Sequence, residues 1–99
     1  MDRVKILTEL SKEIMMESLR LQRIEPDNYF FRQSTYSICA MKYLYDIIKN
    51  NPNRDPEAIF DDFRADMDYY AIMGGMEQSF IFSVMFDTAT YFYDMFFVK

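Results

Sequence analysis

Asp87 and Asp94 stand seven residues apart near the end of this chain, a spacing that puts both carboxylates on one side of a helix, with Tyr91 and Tyr93 between them. Carboxylates beside phenols are the one combination here that offers acid–base chemistry. The spacing reads first as structure. Ser79, Ser83, Asp87, Thr90 and Asp94 draw a thin polar line, at intervals of four, four, three and four, along a segment that is otherwise aromatic and aliphatic. That line is the solvent seam of an apolar helix, and the two tyrosines read as packing aromatics.

The remaining chemistry is excluded by what the sequence lacks. There is no histidine, which removes Ser-His-Asp and Cys-His catalysis, His-containing zinc sites and the Glu-x-x-His pattern of di-iron bundles. The single cysteine, Cys39, can form neither an intramolecular disulfide nor a thiolate metal site, and burial as a small hydrophobe is expected for it. Gly74 and Gly75 are the only glycines, so no phosphate-cradling loop and no dinucleotide fingerprint is present. The expectation is a protein that is not an enzyme, with no catalytic residue, no cofactor and no metal.

Charge is the more informative pattern. Residues 1 to 54 carry a balance of +2 and residues 55 to 99 a balance of −7, which together give the net −5. Asp55, Glu57, Asp61, Asp62, Asp66 and Asp68 crowd one segment that contains a single arginine. Such an acidic face repels nucleic acid, whose binders cluster Lys and Arg, and steers basic proteins toward itself. It also keeps an aromatic-rich chain in solution.

These residues must be positioned by helices. The first is expected over residues 2–25, from an Asp2 cap to the residue before Pro26, with Val4, Leu7, Leu10, Ile14, Leu21 and Ile24 as its apolar stripe. Glu17 interrupts that stripe, which argues against a long uniform coiled coil. A second helix over 28–50 ends at the turn-forming Asn50-Asn51-Pro52-Asn53, and small residues Ser34, Ser37, Cys39 and Ala40 allow close helix approach. Asp55-Pro56-Glu57 is a compact helix start, and the third helix, 56–73, is expected to stop on a left-handed Gly74-Gly75. The fourth spans 76–98. Alternation of Phe80, Phe82, Val84 and Phe86 suits a strand, but no turn residue follows to end one.

The whole predicts an all-α, small four-helix bundle-like domain with short connections, one domain over residues 1–99. With 51% hydrophobic residues, ten Phe, eight Tyr and nine Met, a domain this small leaves some apolar side chains outside, where they mark contact sites. The fourth helix is apolar on more sides than one bundle covers. A homodimer through Phe82, Phe86, Phe92, Phe96 and Phe97 is therefore expected. Asp87 and Asp94 interrupt the stretch from Phe80 to Val98, so it is not expected to span a membrane. With no signal-like N-terminal run and no disulfide, a cytoplasmic setting is expected.

Four segments, Tyr43-Leu44-Tyr45-Asp46-Ile47-Ile48, Asn53-Arg54-Asp55-Pro56, Phe63 with Met67-Asp68-Tyr69-Tyr70-Ala71, and Phe82 to Ala89, resemble small uncharacterised helical proteins of Gram-positive mobile elements and prophages. The resemblance covers about the last 60 residues and implies a phage or mobile-element accessory protein; it carries no site residue with it. Together these readings lead to a non-enzymatic, acidic protein-binding regulator. In that role it is an inhibitor, anti-CRISPR-like, that blocks a basic surface of a nucleic-acid enzyme through Asp55, Glu57, Asp61, Asp62, Asp66 and Asp68. The alternative is a structural or assembly subunit whose partner is itself.

Overall fold

In the computed structural model, which describes residues 2–98, the chain forms four α-helices: α1 (Arg3–Leu21), α2 (Tyr29–Asn50), α3 (Pro56–Met73) and α4 (Met76–Phe97). Among the described residues there is no strand, and Phe80 to Phe86 are helical. Two of the four starts, at Asp2 and Asp55, are capped as their sequence predicts, and Asn28 caps a third. Asp2, Asn28 and Asp55 each accept a hydrogen bond from the backbone N–H two residues on, which satisfies donors that the helix itself leaves open.

Two ends differ from expectation. α1 stops at Leu21 rather than near Glu25, because the chain turns sooner: Arg23 N–H donates to Arg20 C=O and Ile24 N–H to Leu21 C=O, three-residue spacings that tighten the backbone out of the α-helix. Gly74 and Gly75 are not left-handed. Both have negative φ, −84° and −72°, and extended ψ. Glycine is needed at 74 for space instead, since a Cβ there would lie 2.6 Å from Cβ of Gln78 and 2.9 Å from the Tyr70 carbonyl oxygen. That close approach lets α3 turn directly into α4.

α1 packs on α2, α3 on α4, and α2 joins the two pairs by lying against α4 and, less extensively, α3. The core gathers Ile6 and Leu10 of α1, Ile38, Met41, Leu44 and Ile48 of α2, Ile59, Phe60, Phe63 and Met67 of α3, and Ala89, Phe92 and Phe96 of α4. α1 is rotated relative to the predicted stripe: Ile6 is fully buried and Val4 is exposed. Glu17 points into the bundle for a reason supplied by α2, where the buried Ser34 donates a 2.9 Å hydrogen bond to its carboxylate. Three residues on, Ser37 meets Thr88 of α4 at 2.9 Å. Thr88 donates to its own Val84 carbonyl, so its oxygen is left to accept from Ser37. The small residues of α2 thus let helices approach on both sides and make the hydrogen bond that close approach requires. Arg3 ties the bundle's other end, donating to the Ile48 carbonyl at 2.6 Å and to the Arg54 carbonyl, where a cation also complements the C-terminal dipole of α2.

Cys39 is exposed rather than buried, because the adjacent faces of α2 hold the core through Ile38 and Ala40. Its thiol should therefore react with a disulfide reagent in the native protein at a rate that denaturant raises little; protection until unfolding would contradict this placement. Phe60, with no exposed surface, rests edge-on to Phe96 and Phe97. Phe60→Ala should cost about 3 to 5 kcal/mol in chemical denaturation.

Candidate protein-interaction surface

The carboxylates of α3 do not form one face. Steps of 100° per residue place Asp55, Asp62 and Asp66 in one row and Glu57, Asp61 and Asp68 in another, on either side of a solvent-facing ridge made by Ala65, Tyr69 and Ile72. Tyr69 is 59% and Ile72 72% exposed, so the ridge is apolar and open.

Two of the six acids have structural work. Asp55 caps α3, and the half-buried Glu57 lies 3.4 Å from the Tyr93 hydroxyl, which donates to it. Asp62 pairs with Arg54, and Asp61 lies 3.9 Å from Arg64. Asp66 and Asp68 are exposed and form no ion pair among the described residues.

Arg64, the only cation on α3, is turned away from this surface. Its Nε donates to the Thr90 hydroxyl at 3.1 Å, and its guanidinium lies over the rings of Tyr93 and Phe86, 4.5 and 5.5 Å from their centroids. Cation–π contact and a hydrogen bond hold it in the α3–α4 seam. Of the six acids, Asp61 and Asp62 are paired, with Arg64 and Arg54, and the other four form no ion pair among the described residues.

Between the Asp62–Asp66 row and α2 lies a hollow of about 320 Å³. Tyr43 and Tyr70 form its walls, Ile47, Phe63 and Met67 its floor, and Asp62 and Asp66 stand at its rim with Arg54. Aromatic walls below carboxylates suit a long cationic side chain, whose stem packs while its head pairs. Sequence reading found the acids and missed this hollow, since Tyr43 and Tyr70 are far apart in the chain and only the packing of α2 on α3 brings them together.

The aromatic residues of α4 lie differently from expectation. Phe92 and Phe96 belong to the chain's own core, 3% and 7% exposed, and cannot contact a second copy without opening it. Phe82, Phe86 and Phe97 are half-buried against that core. The reason is the position of α4, covered by α3 on one flank and α2 on another. Beyond its first turn, what it shows to solvent is Ser83, Asp87, Tyr91, Asp94 and Met95. Apolar exposure is concentrated elsewhere, at the end of the bundle where Tyr29 and Phe30 begin α2 and Ile72, Met73 and Met76 link α3 to α4. Asp87 and Asp94 are both exposed, and among the described residues no group of three or more His, Cys, Asp or Glu is placed to hold a metal ion. Among those residues, too, no helix is long and apolar enough to cross a membrane.

No protein-family model, curated protein or solved structure compared with the chain matches it.

Tyr93 carries the one resolved pKa shift, upward from the ordinary tyrosine value, caused first by desolvation in the α3–α4 seam and then by the carboxylates of Asp61 and Glu57, against a smaller lowering by Arg64. A raised folded-state value means that above pH about 10 the unfolded chain loses this proton before the folded one does, so stability should fall as pH rises through that window. Ultraviolet titration should show a late-ionising component that Tyr93→Phe removes.

Proposed function

We propose that this chain is a non-enzymatic, acidic protein-binding regulator whose α3 surface engages a basic patch on a partner protein. The observation that carries this reading is the hollow lined by Tyr43, Tyr70, Asp62 and Asp66, where Asp62 pairs with Arg54 and Asp66 forms no ion pair among the described residues. Lysine and arginine side chains fit it by charge and by shape. The exposed ridge of Tyr69 and Ile72 adds apolar area of the kind found at the centre of contact surfaces.

A basic surface rich enough to meet two rows of carboxylates is characteristic of proteins that hold phosphate backbones. The reading therefore extends to an inhibitor, anti-CRISPR-like in mode, that covers the nucleic-acid groove of an enzyme. It acts by occupying the cations that phosphates would use. Self-assembly is the alternative, and the apolar end around Phe30, Met73 and Met76 favours it more than the α4 phenylalanines do.

The test begins with partner capture from host extract on immobilised protein and proceeds to a salt titration of the captured complex. Binding should weaken steeply as salt shortens the reach of exposed charge to about 8 Å at physiological ionic strength. Asp61→Lys/Asp62→Lys/Asp66→Lys should abolish capture with helicity unchanged, because exposed ion pairs contribute little to stability. Duplex DNA or RNA added in excess should release the partner. A triple variant that binds as well as the parent would show the acids to be merely solvated, and salt-tolerant self-association would favour assembly.

A further inference from the structure

α1 and α4 both pack on α2 but make no extensive contact with each other, and the gap between them is open along the bundle. Three hollows of about 210, 350 and 450 Å³ follow one another along it. The first is polar, with Glu17, Ser34, Ser37 and Thr88. The second brings Glu13 and Asp87 above Met41, Tyr91 and Phe92. The third lies between Val4 and Met95 with Phe96 at its base, and Lys5, Thr8 and Glu9 line its α1 side. The first two share Glu17, Ser37, Asp87 and Thr88, the third lies one helical turn further along α1 and α4, and together they border one side of the gap as a groove. From Lys5 to Arg20 it is about 22 Å long at 1.5 Å per residue, the length of four helical turns.

We infer that this groove is a docking site for a basic amphipathic helix of a partner protein, seated as a fifth helix between α1 and α4. Charge decides the occupant. Glu9, Glu13, Glu17 and Asp87 border the groove against two cations, Lys5 and Arg20; among the described residues only Glu17 forms an ion pair, with Arg20 at 3.3 Å, so the carboxylates of Glu13 and Asp87 at its middle are open to a partner's cations. A helix with a narrow apolar stripe and Lys or Arg on both flanks buries the stripe on the exposed Val4, Tyr91 and Met95 while its cations meet these carboxylates. A second copy of this chain fits poorly, since each copy carries net charge −5 and would set acids against acids. No residue of α3 lines the groove, so the site is separate from the surface proposed above and stands or falls independently of it.

The test measures binding of three fluorescent peptides of about 15 residues. One carries a leucine stripe flanked by arginines, one the same stripe flanked by glutamates, and one the composition of the first scrambled so that no stripe forms. Only the first should bind. Glu13→Lys/Asp87→Lys should weaken it at least about tenfold, Met95→Asp should weaken it too, and Asp62→Lys/Asp66→Lys on α3 should leave it within about twofold. Should the reversed variant lose helicity, Glu13→Gln/Asp87→Asn removes the charge at nearly constant shape and should still weaken binding about threefold. The inference is overturned if the striped basic peptide does not bind, if the scrambled peptide binds equally, if the groove variants leave binding unchanged, or if only the α3 variant weakens it.

Discussion

Everything in this bundle depends on α2 serving two neighbours at once. It carries α1 on one flank and the α3–α4 pair on the other, and its small residues permit both. Ser34 receives Glu17 from α1, and Ser37 receives Thr88 from α4, so each close approach is completed by a hydrogen bond instead of leaving a polar atom buried and unpaired. A larger residue at either position would push one neighbour away. Because a single helix separates α1 from α4, their spacing is fixed at a distance that leaves a gap between them.

Charge is distributed by the same packing. Arg64 is drawn into the α3–α4 seam by Thr90, Phe86 and Tyr93, where its guanidinium satisfies the interior of an aromatic contact. An arginine on the outer side of α3 would have neutralised its neighbours. Placed in the seam, it contributes to cohesion and, among the outer acids described, pairs with Asp61 alone, at 3.9 Å.

The helices, their order and the start signals at Asp2 and Asp55 were legible in the sequence, because capping chemistry is local and those two residues need no tertiary partner to act. The inward Glu17 was visible as an anomaly but not explicable, since its partner lies on another helix. Cys39 was misread because a helix that touches three others has its faces allotted by packing, which periodicity on one segment cannot assign. The Gly74 backbone followed Gln78 and not the usual stop, a matter of space between two helices. For the interaction surface, the six acids were readable as a cluster, and their division into two rows follows from helical geometry once the register is known. The hollow beside them was not readable, being made by Tyr43 and Tyr70 from different helices. Phe92 and Phe96 looked like interface residues because an all-round apolar helix gives no sign of which neighbour covers it.

The loose attachment of α1 also bears on how the chain folds and breathes. α3 and α4 are joined by the tight Gly74-Gly75 connection and pack on each other throughout, whereas α1 packs extensively on α2 alone. Contacts between sequential helices close quickly, so the α3–α4 hairpin is an early unit, and α2 must cross a longer loop to join it. Elements held by one neighbour open at a lower free energy than the rest of the domain. α1 is that element, retained by Ile6, Leu10, the Glu17–Ser34 bond and the Arg3 tether, and its release would bare the α2 flank while the other three helices stay assembled.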